Sequence, residues 1–128
     1  MTGKRTAGVV IVALCVGAVA ACHTADGVIA STPLVHVELA HTADTNVLQL
    51  HPAPGARINA QFKPTIHNVD GSRIVFDSPE VTADSEYFAA PPVARLARDL
   101  PVDGELHASV CPEGKLVCLS VVVAVRVR

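Results

Sequence analysis

The sequence predicts an all-β sandwich placed behind an apolar leader and a short tether. Three observations predict it. From Leu34 onward, turn signals built on Pro, Gly, Asn and Asp recur about every 8–12 residues, the spacing of a small sandwich. Between them lie short runs rich in Val, Ile and Leu. The last of these runs alternate as a hairpin should, with one apolar and one more polar face.

The elements follow in order. Leu34–Leu39 reads as a first strand and Thr45–His51 as a second, before Pro52-Ala53-Pro54-Gly55 breaks the chain. Ala56–Val69 is extended and interrupted by Pro64. Asp70-Gly71 is a hairpin-type turn signal, and Ser72–Phe76 is a further strand. Ser78–Pro92, with Pro79, three acids and Pro91-Pro92, is the least regular stretch. Val93–Arg98 reads as a helical turn, and Leu100–Gly104 as another turn.

The N-terminus has the pattern of a targeting segment. Lys4 and Arg5 precede an uncharged run from Ala7 to Ala21. Its length of about 15 residues suits a signal-peptide core and falls short of the ~20 that a membrane-spanning helix needs. The run ends in Val19-Ala20-Ala21-Cys22, which resembles a bacterial lipobox: an aliphatic residue, two small residues, then Cys. The expectation is cleavage before Cys22 and lipidation of its thiol by diacylglycerol and fatty acyl (palmitate-type) chains. Such a protein sits in the cell envelope as a membrane-anchored lipoprotein. His23 follows where an Asp would favour inner-membrane retention. Placement is therefore at the outer membrane if the host has one, and otherwise on the outer face of the cytoplasmic membrane. The expected organisation is a signal peptide over residues 1–21, lipidated Cys22 and a flexible tether over 22–33, and the sandwich over 34–128.

Composition excludes several partners. The chain has 10 Lys and Arg against 12 Asp and Glu, no Trp, one Tyr and three Phe. That balance lacks both the basic footprint and the stacking platforms of a nucleic-acid binder. Loss of the leader removes Lys4 and Arg5, so the remainder is more acidic still, and lipid rather than a basic patch would hold it to a membrane.

Cys15 leaves with the leader and Cys22 takes lipid, which leaves Cys111 and Cys118 as a free pair. In an exported protein a disulfide is the natural reading. Placing the two opposite each other across the Pro112–Lys115 turn sets Val110 against Leu119, Ala108 against Val121, and Leu106 against Val123. All six are apolar and share a face. The other face collects the cysteines, His107, Ser109 and Ser120, with Val122 and Ala124. A disulfide there is either a structural staple or, if a thiolate can reach it, an exchange site.

The stretch from Gly55 to Val127 distantly resembles the immunoglobulin-like N-terminal periplasmic domain of the membrane thiol:disulfide interchange family. The resemblance rests on Gly55-Ala56-Arg57-Ile58-Asn59, Lys63-Pro64, Leu100-Pro101, Gly104, and the two cysteines ahead of a Val-rich final strand. It is similar too to β-domains that accompany thioredoxin-like and NHL-repeat proteins. The resemblance implies an immunoglobulin-like sandwich, and a redox-active role for Cys111 and Cys118. Six residues separate the cysteines, and Leu119 and Ser120 follow, both departures from the family pattern.

Other groupings point to no chemistry. The six His (His23, His36, His41, His51, His67, His107) show no H-x3-H or HExxH spacing, so no metal site and no cofactor is expected. His36 and His41 are five apart and belong to opposite strand faces. Asp84 and Glu86 share a strand face but sit in a Ser- and Asp-rich stretch, where solvated acids are commoner than a glycosidase pair. No G-x-S-x-G occurs. The sequence therefore predicts a non-enzymatic envelope lipoprotein whose sandwich binds a protein partner or serves a structural role. Thiol–disulfide exchange through Cys111 and Cys118 is the alternative.

Overall fold

The computed structural model describes residues 27–128, and the expected leader, Cys22 and His23 lie outside the described residues. Every element in the described part is a strand: β1 (Gly27–Ser31), β2 (Val35–His41), β3 (Thr45–Pro52), β4 (Ala56–Ile58), β5 (Thr65–Asn68), β6 (Arg73–Val75), β7 (Val93–Ala97), β8 (Val102–Pro112) and β9 (Leu119–Val127). They form two antiparallel sheets. One runs β1-β2-β3-β7. In the other, β8 takes β9 along one edge and β4 and then β5 along the opposite edge, with β6 beyond β5. β3 between β2 and β7, and β8 between β4/β5 and β9, reproduce the A-B-E and C-F-G pairing orders of an immunoglobulin-type sandwich.

The core is what the alternation dictates. Val35, Val37 and Leu39 of β2 and Leu48 and Leu50 of β3 point inward from the first sheet. Ile58, Ile66, Leu106, Val110 and Val125 meet them from the second, and Phe76 fills the space after β6 without exposure. Each such side chain contributes about 1.5–3 kcal/mol relative to an exposed position. One buried polar residue lies among them. Asn46 donates to the Arg98 carbonyl at 3.2 Å, and its side-chain oxygen meets the His41 ring. Arg98 in turn donates to the Thr42 carbonyl at 3.0 Å, so the β2–β3 turn is tied to the end of β7.

Two expectations are corrected. Residues 27–31, expected within the tether, form β1 and pair with β2 through a register shift between Val28 and Ala30. Ile29 and Ala30 pack against the core, so the ordered domain starts earlier than Leu34. Val93–Arg98 is not a helical turn. Its first five residues form β7, because the exposed edge of β3 offers a complete ladder from Thr45↔Ala97 to Gln49↔Val93. A six-residue segment has too few internal hydrogen bonds to compete with that.

The stretch between β6 and β7 is held by bridges and side-chain caps rather than by a strand. Asn59↔Tyr87 and Asp77↔Val93 tie it to the segment after β4 and to β7, and Val81↔Phe88 closes it on itself. Three carboxylates brace the loops. Asp70 accepts from the Ser72 hydroxyl and backbone, Asp77 from Lys63 Nζ at 2.8 Å, and Asp84 from the Thr82 hydroxyl and Glu86 backbone. Those hydrogen bonds hold all three below the ordinary carboxylate value of 3.8.

Lowered folded-state values mean that the stabilisation is complete above the unfolded value and is lost as pH falls through the folded values. Asp70→Asn, Asp77→Asn and Asp84→Asn combined should flatten the loss of stability as pH falls below about 4, read by urea unfolding at each pH. A sharper test concerns packing. Gly104 lies between Asn68 of β5 and Val125 of β9, and a Cβ there would sit 2.2 Å from the His67 carbonyl oxygen and 2.7 Å from the Asn68 α-carbon. Both atoms are backbone, so neither can swing away. Gly104→Ala should cost about 3 kcal/mol in urea unfolding.

Candidate functional site

The β8–β9 hairpin is the most fully specified local structure. Its register sets Val110 against Leu119, Ala108 against Val121 and Leu106 against Val123, as the alternation requires. Cys111 and Cys118 form the disulfide just beyond the last of these pairs, with their α-carbons 4.0 Å apart. The connecting turn uses Gly114 at φ 77, and Lys115 N–H donates to the Pro112 carbonyl at 3.2 Å. Glu113 N–H donates to the Gly55 carbonyl at 2.7 Å, which docks the turn onto the loop before β4.

The hairpin departs from expectation in two places. Cys111 does belong to the face with His107 and Ser109, but it is only 3% exposed, in register with Arg57 of the adjacent strand β4. Leu119, expected on the inner face, is 47% exposed because β9 there passes the end of the core. Its neighbours are more exposed still, Leu116 at 104% and Val117 at 67%. The staple thus closes a loop that carries Leu116 and Val117 in solvent, with Leu119 exposed at the adjoining start of β9. Isolated exposed leucines are ordinary, whereas three large apolar side chains so close together at one constrained hairpin end form a patch.

Below this tip, the outer face of the second sheet forms a shallow groove of about 370 Å³ lined by Phe62, Lys63, His67, His107, Ser109 and Ser120. His67 and His107 meet edge to face with ring centroids 4.8 Å apart. On the outer face of the first sheet, His36 of β2 and His51 of β3 are directly paired, and their rings stack at 4.9 Å. Glu38 lies two residues along, opposite Gln49. His41 faces the other way, onto Asn46.

Neither cluster is visible in the sequence spacing of the histidines, because each is assembled between strands. A hairpin register with His36-x-Glu38 on one arm and Gln49-x-His51 on the other is the signal that would have found the first. Asp84 and Glu86 do not share a strand face. They lie in a loop whose Ser85 takes φ 63, and the Asp84 carboxylate is engaged by that loop. Cys22, the expected lipidation site, lies outside the described residues.

No protein-family model, no curated protein and no solved structure matches the chain.

Cys111 is buried and Cys118 half-buried, so an attacking thiolate could reach only the Cys118 sulfur. It would have to expel Cys111 as a buried thiolate, which an apolar setting disfavours. Exchange needs a thiolate to approach one sulfur in line with the bond, which requires access. The pair should resist glutathione buffers until the potential falls below about −300 mV, with thiol trapping showing reduction only as the domain unfolds. Reversible reduction of the folded domain between about −180 and −270 mV would instead make it an exchange site. Replacing both cysteines by Ser should cost about 2–3 kcal/mol, since the closed loop is short.

Proposed function

We propose that the chain is a lipid-anchored envelope lipoprotein whose disulfide-stapled sandwich binds a protein partner through the tip of the β8–β9 hairpin. The observation that carries the reading is that tip. Leu116 and Val117 are held in solvent on a loop fixed by the Cys111–Cys118 bond and by the Glu113–Gly55 hydrogen bond, and Leu119 is exposed beside them at the start of β9. A loop already fixed loses less freedom on binding, so its apolar area converts more fully into affinity. Anchoring rests on Val19-Ala20-Ala21-Cys22, and a disulfide suits an oxidising compartment outside the cytosol. The acidic balance of the chain weighs against nucleic acid as the partner. Thiol–disulfide exchange is the alternative role for Cys111 and Cys118; attack at the half-buried Cys118 would have to release Cys111 as a buried thiolate, which weighs against it.

One experiment addresses both halves. A photo-crosslinking residue is placed at position 116, in wild type and in Cys22→Ser, and cells of a bacterial host are fractionated after irradiation. Wild type should be recovered in the membrane fraction, with acyl mass on the Cys22 peptide and one discrete crosslinked protein. Cys22→Ser should leave that fraction, and Val117→Asp should abolish the adduct while leaving stability within about 0.5 kcal/mol. A crosslinker at Val69, 80% exposed elsewhere on the domain, should capture nothing discrete. Retention of Cys22→Ser at the membrane would overturn the anchoring half, and equal adducts from positions 69 and 116 the binding half.

A further inference from the structure

We propose that His36, Glu38 and His51 form a binding site for a divalent transition ion of the imidazole-preferring class, Zn²⁺ or Cu²⁺. The site lies on the outer face of the first sheet, so it is independent of the lipid anchor and of the β8–β9 tip. Its geometry comes from register. His36 and His51 are a directly opposed pair between β2 and β3, and Glu38 is the next residue on the same face of β2. Side chains at such positions converge without any loop rearrangement.

The distances suit a small ion. Glu38 Oε1 is 3.3 Å from His36 Nε2, and Glu38 Oε2 is 3.1 Å from His51 Nε2. One ligand atom from each of the three residues can be chosen so that all lie within 4.8 Å of one another. Metal–ligand bonds of about 2.0–2.2 Å in a tetrahedron put ligand atoms about 3.4 Å apart. Closing the site takes shifts of about an ångström together with rotation of the two rings, now stacked at an interplanar angle of 10°, so that their in-plane lone pairs converge; the broad χ2 torsion of His permits that rotation.

The Gln49 amide lies 2.9 Å from His51 Nε2 on the same face, so a further polar group stands beside the cluster. Two imidazole nitrogens with one carboxylate select Zn²⁺ or Cu²⁺ over Mg²⁺ and Ca²⁺, which require mostly oxygen ligands. The side chains are 34%, 43% and 25% exposed, so an ion can enter from solvent and a water can complete the coordination.

The test uses the full chain purified in detergent, titrated with Zn²⁺ by calorimetry and with Cu²⁺ by electron paramagnetic resonance. The expected result is one site, with hyperfine splitting from two imidazole nitrogens. His36→Gln or His51→Gln should weaken binding at least tenfold and remove one nitrogen from the spectrum. Glu38→Gln should weaken it several-fold. The His67→Gln, His107→Gln double variant, on the other sheet, should bind as wild type does. Circular dichroism checks that each variant folds. Should one fold poorly, Zn²⁺-induced shifts of both the His36 and His51 ring resonances in wild type supply the same answer. Unchanged affinity in a His36→Gln, His51→Gln variant would overturn the proposal by placing the ion elsewhere, Cys22 and His23 included. So would absence of uptake, absence of shifts at those two rings, or equal affinity for Ca²⁺.

Discussion

Strand β8 is the constraint on which the rest of the domain depends. Its eleven residues pair with β9 along one edge and with β4 and β5 along the other, so three strands take their register from it. Leu106 and Val110 point inward from it without exposure and meet the β2–β3 pair across the core. A one-residue slip would turn that face outward and leave Ser109 and His107 in the interior. Gly104 shows how tightly the strand is enclosed, since the β5 backbone crosses where any larger residue would place its first carbon. The disulfide closes the far end of the same strand, just past its last apolar pair with β9.

What was legible in the sequence was local. The β8–β9 register could be read because alternation, a turn and two cysteines all select one pairing. The first two long strands and the Asp70-Gly71 turn were legible for similar reasons, with Gly71 taking the positive φ that the turn requires. β1 was not legible. Gly27-Val28-Ile29-Ala30-Ser31 has small residues and a bulge that breaks the alternation, and its strand character comes from the exposed edge of β2. β7 was misread for the same reason, since Ala94, Leu96 and Ala97 favour helix locally while the open edge of β3 decides otherwise. The His36–Glu38–His51 cluster needed register rather than spacing, because its members belong to two strands.

The two outer sheet faces carry different chemistry. The first collects His36, Glu38, Gln49 and His51 as a compact polar group. The second carries a shallow groove with His67 and His107, and the hairpin beyond it ends in exposed apolar side chains. The polar group of the first face and the two imidazoles of the second lie outside the core. The sandwich can therefore change either surface at little cost to its stability.

The early start of the ordered domain has a consequence for reach. With β1 beginning at Gly27, at most about 18 Å of chain separates its α-carbon from that of Cys22. Gly27 pairs with Leu39, whereas Ser31 pairs with His36 and thus lies toward the opposite end of the sandwich. From there Leu34 meets Ala53, and Gly55 meets Glu113 of the hairpin turn. The apolar tip is thus toward the end remote from Gly27. A domain acylated at Cys22 would stand on a short leash with its tip pointing outward. It could scan only a thin shell above the bilayer, so partners would be chosen by height as well as by chemistry.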